Sequence, residues 1–257
     1  MFYIDVFFSN FIALLPFLKI TFLVTGGSLL FSVILGALSA WGTLGKNIIG
    51  KILSGLYINL MRCVPPIVLL FVVYYGAPLL FSGSSLNLNK IDASLYAIFS
   101  LSLLHGASMS EMMRGAYLSI NKGQTEAALS IGMSGWQAFI RIIFPQAFKV
   151  AIPILGNTVV AMFKDGALAY SIGVVDVTGR ATYIISMNRG NYVLETYLAL
   201  AIIYWILSIV TQKIFSILSK KNEKKTHYAN NKDKKSEKRI IIAEKIFGRI
   251  RRSINEA

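Results

Sequence analysis

Six ionisable side chains stand inside, or at the ends of, otherwise apolar stretches of this sequence: Arg62, His105, Glu111, Arg114, Lys164 and Asp165. A charge at the centre of a hydrocarbon layer costs about 2.5–3.5 kcal/mol on insertion scales, so each is a candidate for a role. The chemistry open to them is charge pairing and the holding of a charged ligand. Glu111 and Arg114 are three apart and can pair on one helix face. Asp165 reads two ways, as a carboxylate that attracts an ammonium group or as half of an interfacial pair with Lys164. Arg62 can hold a carboxylate bidentately or snorkel to the surface. His105 can be a packed, satisfied histidine or a proton relay. Asn157 can bond between helices or touch a ligand. Ser108 is a small polar residue in the same set. Bond chemistry is not expected. The nearest approach to a phosphate loop, Gly42-Thr43-Leu44-Gly45-Lys46-Asn47, has the wrong spacing and lacks the hydroxyl that follows the lysine. With one cysteine, Cys63, and two histidines, no disulfide, metal centre or cofactor is expected.

These residues must be positioned by membrane helices. The chain has 257 residues, 55% of them hydrophobic, and a mean hydropathy of +0.60. Crossing ~30 Å of hydrocarbon takes about 20 apolar residues. Five spans are expected on that basis, at about Ile20–Ala40, Val64–Phe81, Ser94–Arg114, Phe144–Asp165 and Tyr192–Leu218. The second opens at Pro65-Pro66, where a proline costs a helix little. The fourth is expected to be broken by Pro145 and Pro153. Gly26, Gly27, Gly36, Gly106, Ala107 and Ser108 are small enough to let helices approach closely, which predicts a packed bundle. The fold class expected is all-α, a polytopic membrane bundle of about five helices. The first ten residues lack the basic region and cleavage site of a signal peptide and are expected to stay attached.

Charge is unevenly placed. The chain carries 26 Lys+Arg against 12 Asp+Glu, and 13 of the former with 5 of the latter lie from Lys220 onward. The organisation expected is a membrane domain over 1–219 and a basic tail over 220–257. The tail follows an apolar span, so anionic lipid, not nucleic acid, is its expected neighbour. Ile242, Ile246, Ile250 and Ile254 recur at helical spacing opposite basic residues, as in a surface amphipathic helix. Lys46 and Lys51 in the first connection, and Arg114, Lys122 and Arg141 around the third, place those connections in the cytoplasm with the tail. The N-terminus is then outside. Arg180 and Arg189 in the fourth connection run against that rule.

Between the third and fourth spans lies Asn121–Pro145, too polar and too short to cross. Glu126–Ile131 favours a helix, Gly132 a turn, and Trp136 a membrane interface. A short protruding helix of this kind is either an ordinary loop helix or a docking element for a partner with a matching groove.

Glu126-Ala127-Ala128, three residues, Gly132, nine residues, Ile142, one residue, Phe144-Pro145 resembles the EAA motif of ABC importer permeases, with Phe144 where leucine is usual. Lys122-Gly123-Gln124 resembles the polar amino acid branch of that family. So do Arg62 with Pro65, Ser110-Glu111 with Arg114-Gly115, Pro153 with Gly156-Asn157, and Lys164-Asp165. The resemblance runs over about Thr21–Tyr204. The sequence departs from the pattern where Gly166-Ala167 replace Thr-Ser and Cys63-Val64 replace Gly-Thr.

The resemblance implies the type I ABC importer permease fold in the cytoplasmic membrane. Glu126, Ala127, Ala128 and Gly132 would form the helix that couples to an ATPase on a separate chain. From the cost of polar groups inside the spans, and not from the resemblance, Asp165, Lys164, Asn157, Arg62 and Ser108 are the candidates for lining a substrate pathway. The implied partners are that ATPase, an extracellular or periplasmic solute-binding protein, a second permease of the same or another sequence, and a polar amino acid as substrate. Two other readings stay open. One is a secondary transporter, which often shows inverted repeats, and none is seen here. The other is a membrane scaffold without transport.

Overall fold

In the computed structural model the described residues are 2–80 and 90–219. Among them every regular element is helical. α1 (Ile4–Leu14) runs through a 3-10 turn at Leu15–Phe17 into α2 (Leu18–Leu44). α3 (Ile48–Cys63) and α4 (Pro66–Leu80) follow, then α5 (Ala93–Leu118), α6 (Lys122–Ser130), α7 (Gly135–Ala138), α8 (Phe144–Gly166), α9 (Val177–Met187) and α10 (Val193–Ser219). Residues 1–215 form one compact unit; a second, Ser216–Ala257, lies almost wholly outside the described residues. The basic tail and its amphipathic stretch therefore fall outside them, as does most of the second connection.

The seam between α2 and α5 shows how a membrane bundle inverts the logic of a soluble core. Thr21, Thr25, Ser28, Ser32, Gly36 and Ala40, three or four residues apart on α2, are all buried. Phe22, Leu23, Leu30, Phe31 and Leu38 of the same helix are exposed. Burying leucine gains nothing when the alternative is lipid, whereas small residues let the backbones come close enough for dispersion and polar contacts. A Cβ on Gly36 would lie 2.5 Å from Met109 Cβ. At this range Ser28 Oγ donates to the Ile98 carbonyl (3.4 Å) and Ser32 Oγ to the Ser102 carbonyl (3.3 Å).

α5 is the central helix, packing against α2, α3, α4 and α8. Its polarity and its position go together. By length and composition three described helical segments can cross a membrane, Ile4–Leu44, Gly135–Ile172 and Val193–Ser219, and a fourth if α3 and α4 form one bent span. α5 is absent from that set, although 26 residues rise about 39 Å at 1.5 Å each. It touches protein on most sides, so Ser100, Ser102, His105 and Ser110 can sit on it without meeting lipid.

The first connection, read above only for its charges, is helical. α3 fills it and turns through 109° into α4 at Val64-Pro65, because the residue before a proline is pushed out of the helical region and Val64 is extended (φ −85°, ψ 127°). Two expectations need correction. The first span is longer than Ile20–Ala40 and carries α1 ahead of it. The fourth span is not broken at its prolines. Gly135–Ile172 is one helical run of 38 residues. It passes Pro145 because a π turn at Phe139–Ile143 precedes α8, with the Phe144 N–H donating to the Phe139 carbonyl. That places Pro145 in the first turn of α8, where no N–H is needed. α8 then runs through Pro153, which packed membrane helices tolerate.

Candidate functional site

The polar segment after α5 is built by local hydrogen bonds that its sequence specifies. Asn121 caps α6, its Oδ1 accepting the Gly123 N–H at 2.8 Å. At the other end the Met133 N–H donates to Ala128 O (3.1 Å) and the Gly132 N–H to Leu129 O (3.0 Å). These two bonds are the Schellman closure, which puts the residue after the cap in the left-handed region. Gly132 is there, with φ +84°. Ser134 and Gln137 then form a reciprocal capping box that starts α7. Ala128 is 2% exposed and seats the helix, which contacts α7 and the π turn. Glu126 and Ala127 face outward, as do Leu129, Ile131 and Trp136. The helix begins at Lys122, four residues before the expected start.

Most of the remaining candidates lie on α5 and α8. α5 and α8 meet along a seam of Met109, Met112 and Ala116 with Ala147, Ala151 and Met162. Further along it His105 Nε2 lies 3.3 Å from Asp165 Oδ2. His105 is 4% exposed, while the Asp165 side chain is 29% exposed. Ser108, one turn from His105, is exposed, as are Asn157 and Lys164, which are seven residues apart and so share a face of α8. Arg62 is exposed in the last turn of α3. The close side-chain contact of Asp165 is with His105. Glu111 and Arg114 pair bidentately within α5, at 3.2 and 3.1 Å.

One buried site was missed at the sequence level. Asp176, in the fourth connection, is 2% exposed. Its Oδ1 accepts the Gly179 N–H at 2.9 Å as the cap of α9. Its Oδ2 faces Thr21 Oγ1 of α2 at 3.5 Å and Tyr204 Oη of α10 at 3.4 Å. Asp176 lies between the spans Gly135–Ile172 and Val193–Ser219, and burial pushes its carboxyl up to about 6. The legible signal was the spacing of Asp176 and Gly179 just before an apolar run, a capping pattern. Next to it the Arg180 guanidinium stacks between the Phe17 and Tyr183 rings, 5.1 and 5.0 Å from their centroids. Such stacking gives an arginine a local partner independent of loop orientation.

Residues 32–224 match the family described as binding-protein-dependent transport system inner membrane component. The chain is 38% identical over 211 residues to the L-cystine transport system permease protein TcyL of Bacillus subtilis (strain 168), covering 82% of this chain and 87% of TcyL. It is 30% identical over 190 residues to the glutamine transport system permease protein GlnP of Escherichia coli (strain K12), covering 74% of this chain and 83% of GlnP. Among solved structures, the crystal structure of an amino acid ABC transporter with histidines superposes with a TM-score of 0.68 at 27% identity, over 85% of this chain and 96% of that one. An inward-facing form of the MetNI methionine ABC transporter shares the fold, with a TM-score of 0.62 at 19% identity, over 81% of this chain and 94% of that one.

Proposed function

The chain belongs to the family of binding-protein-dependent transport system inner membrane components, and on that premise we propose that it is the translocation subunit of an ATP-driven importer for a polar amino acid. The observation that carries this reading is α6: a solvent-exposed helix, capped at both ends, held where α5 leaves the bundle and α8 enters it. A rigid, protruding helix on such a junction transmits a push from a partner into two bundle helices at once. Glu126 and the outward apolar residues Leu129 and Ile131 supply the surface for the groove of an ATPase on a separate chain. Ala127 permits close approach. ATP hydrolysis belongs to that partner, and this subunit supplies the path.

The remaining assignments follow as parts of the same reading. The permease pairs with a second one, receives its cargo from a solute-binding protein, and has its N-terminus outside and its C-terminus in the cytoplasm. Residues 1–219 form the membrane domain and 220–257 a basic cytoplasmic tail against anionic lipid. Along the α5–α8 seam Asp165 takes the cargo's ammonium group, with Ser108, Asn157 and Lys164 on the exposed side of the path and Arg62 as a further contact for its carboxylate. The test is ATP hydrolysis by the purified complex with its binding protein, measured against a panel of amino acids. Stimulation by one or a few polar members supports the reading. A complex that hydrolyses ATP but responds to none of them refutes the cargo class.

A further inference from the structure

His105 is almost fully buried, and its Nε2 has no partner in hydrogen-bonding geometry although Asp165 Oδ2 is only 3.3 Å away. A buried polar nitrogen left unsatisfied carries its full desolvation cost. A small rotation of the imidazole onto Oδ2 removes that cost. The carboxylate gains as well, because Lys164 turns outward and the next two residues, Gly166 and Ala167, offer no side-chain donor. Asp165 Oδ2 lies at the seam, 3.3 Å from His105 Nε2, and the Asp165 side chain is 29% exposed.

We propose that His105 is the positioning residue for Asp165: its Nε2–H holds Oδ2 against α5, and Oδ1 is thereby presented to the ammonium group of an α-amino acid. This rests on the assignment of Asp165 to the cargo path. A carboxylate already fixed in one rotamer loses less freedom when the cargo arrives, so His105 acts on affinity without touching the cargo. The donor comes from α5 and the acceptor from α8, the two helices that flank α6, so the site is complete only when that seam is closed.

The experiment uses the whole complex in proteoliposomes, with uptake of L-cystine and of L-glutamine as probes. His105→Leu fills the space without a donor, and His105→Gln keeps an N–H at similar reach. His105→Leu is expected to raise the half-saturating concentration 5–20-fold and to change the maximal rate less than 2-fold. His105→Gln is expected to stay within 3-fold of wild type. In an Asp165→Asn background His105→Leu is expected to add nothing. Should His105→Leu not assemble, His105→Asn, too short to reach Asp165, carries the same expectation. If Asp165→Asn raises half-saturation and His105→Leu does not, the positioning role is overturned while the Asp165 assignment stands. If Asp165→Asn itself leaves half-saturation unchanged, the assignment falls and this inference with it. A fall in maximal rate alone, or no rescue by Gln, makes His105 merely structural. A second measurement needs no cargo. The chain has two histidines, so His227→Gln leaves one imidazole, and its 15N shifts should move on Asp165→Asn; unmoved shifts overturn the pairing.

Discussion

Gly132 offers the sharpest test of the coupling helix, because its role is set by backbone geometry alone. It sits at φ +84°, and a Cβ built there meets nothing within 4 Å. Gly132→Ala therefore introduces no clash with neighbours, and its whole cost is conformational. A left-handed backbone costs an L-residue about 1–2 kcal/mol. The chain can pay that cost in place or relax the turn, losing the Met133-to-Ala128 and Gly132-to-Leu129 bonds that close α6. Either way the correctly closed helix is disfavoured by about the same amount, a factor of roughly 5–30 in its population. Asparagine tolerates the left-handed region better than alanine. The expected order of cargo-stimulated ATP hydrolysis is thus wild type, then Gly132→Asn, then Gly132→Ala, with the alanine variant reduced several-fold. All three should insert and resist membrane extraction equally, because the turn lies outside the spans. Stimulated hydrolysis at wild-type rate in Gly132→Ala, or Asn doing worse than Ala, refutes the reasoning.

Glu126→Lys, at an exposed position of α6, should abolish uptake with insertion intact, since reversing an interfacial charge costs about 2–5 kcal/mol; wild-type uptake in that variant removes the docking assignment. Gly36→Ala should lower the thermal midpoint by an amount set by about 1–3 kcal/mol of overpacking, since its Cβ meets Met109 Cβ at 2.5 Å, whereas Gly26→Ala, with nothing within 4 Å, should not. In a Cys63→Ser background an impermeant thiol reagent added outside should label Asn191→Cys and spare Ser134→Cys, and the reverse pattern inverts the proposed orientation. For Asp176 the folded carboxyl, raised to about 6 from 3.8, holds its proton more tightly than the unfolded chain does. Its stabilisation is complete below about pH 4 and is lost as pH rises through 6. Asp176→Asn, which keeps the α9 cap, should raise the thermal midpoint at pH 7.5, by at most the equivalent of roughly 3 kcal/mol, and by less at pH 5; equal gains at both pH values exclude titration of Asp176 as the cause.

Apolar runs of about 20 residues made the bundle legible from the sequence, because in lipid the backbone must satisfy itself and helices are the available solution to a chain of this pattern. The coupling segment was legible for a different reason: Asn121, Gly132, Ser134 and Gln137 act through bonds spanning only two to five residues, so order along the chain already contains their geometry. The prolines misled because their effect depends on the turn before them. Pro145 is harmless only because a π turn precedes it, and residue type alone does not announce such a turn. Likewise nothing local distinguishes α5 from a weak span; its polar residues are affordable only because four helices surround it. The pairings of His105 with Asp165 and of Asp176 with Thr21 and Tyr204 join residues 60, 155 and 28 positions apart. A carboxylate's partner is whatever the packing brings within about 4 Å, and Coulomb attraction is indifferent to sequence distance. The residue types fixed which groups needed partners, and only the closure of the helices against one another decided which partners they met.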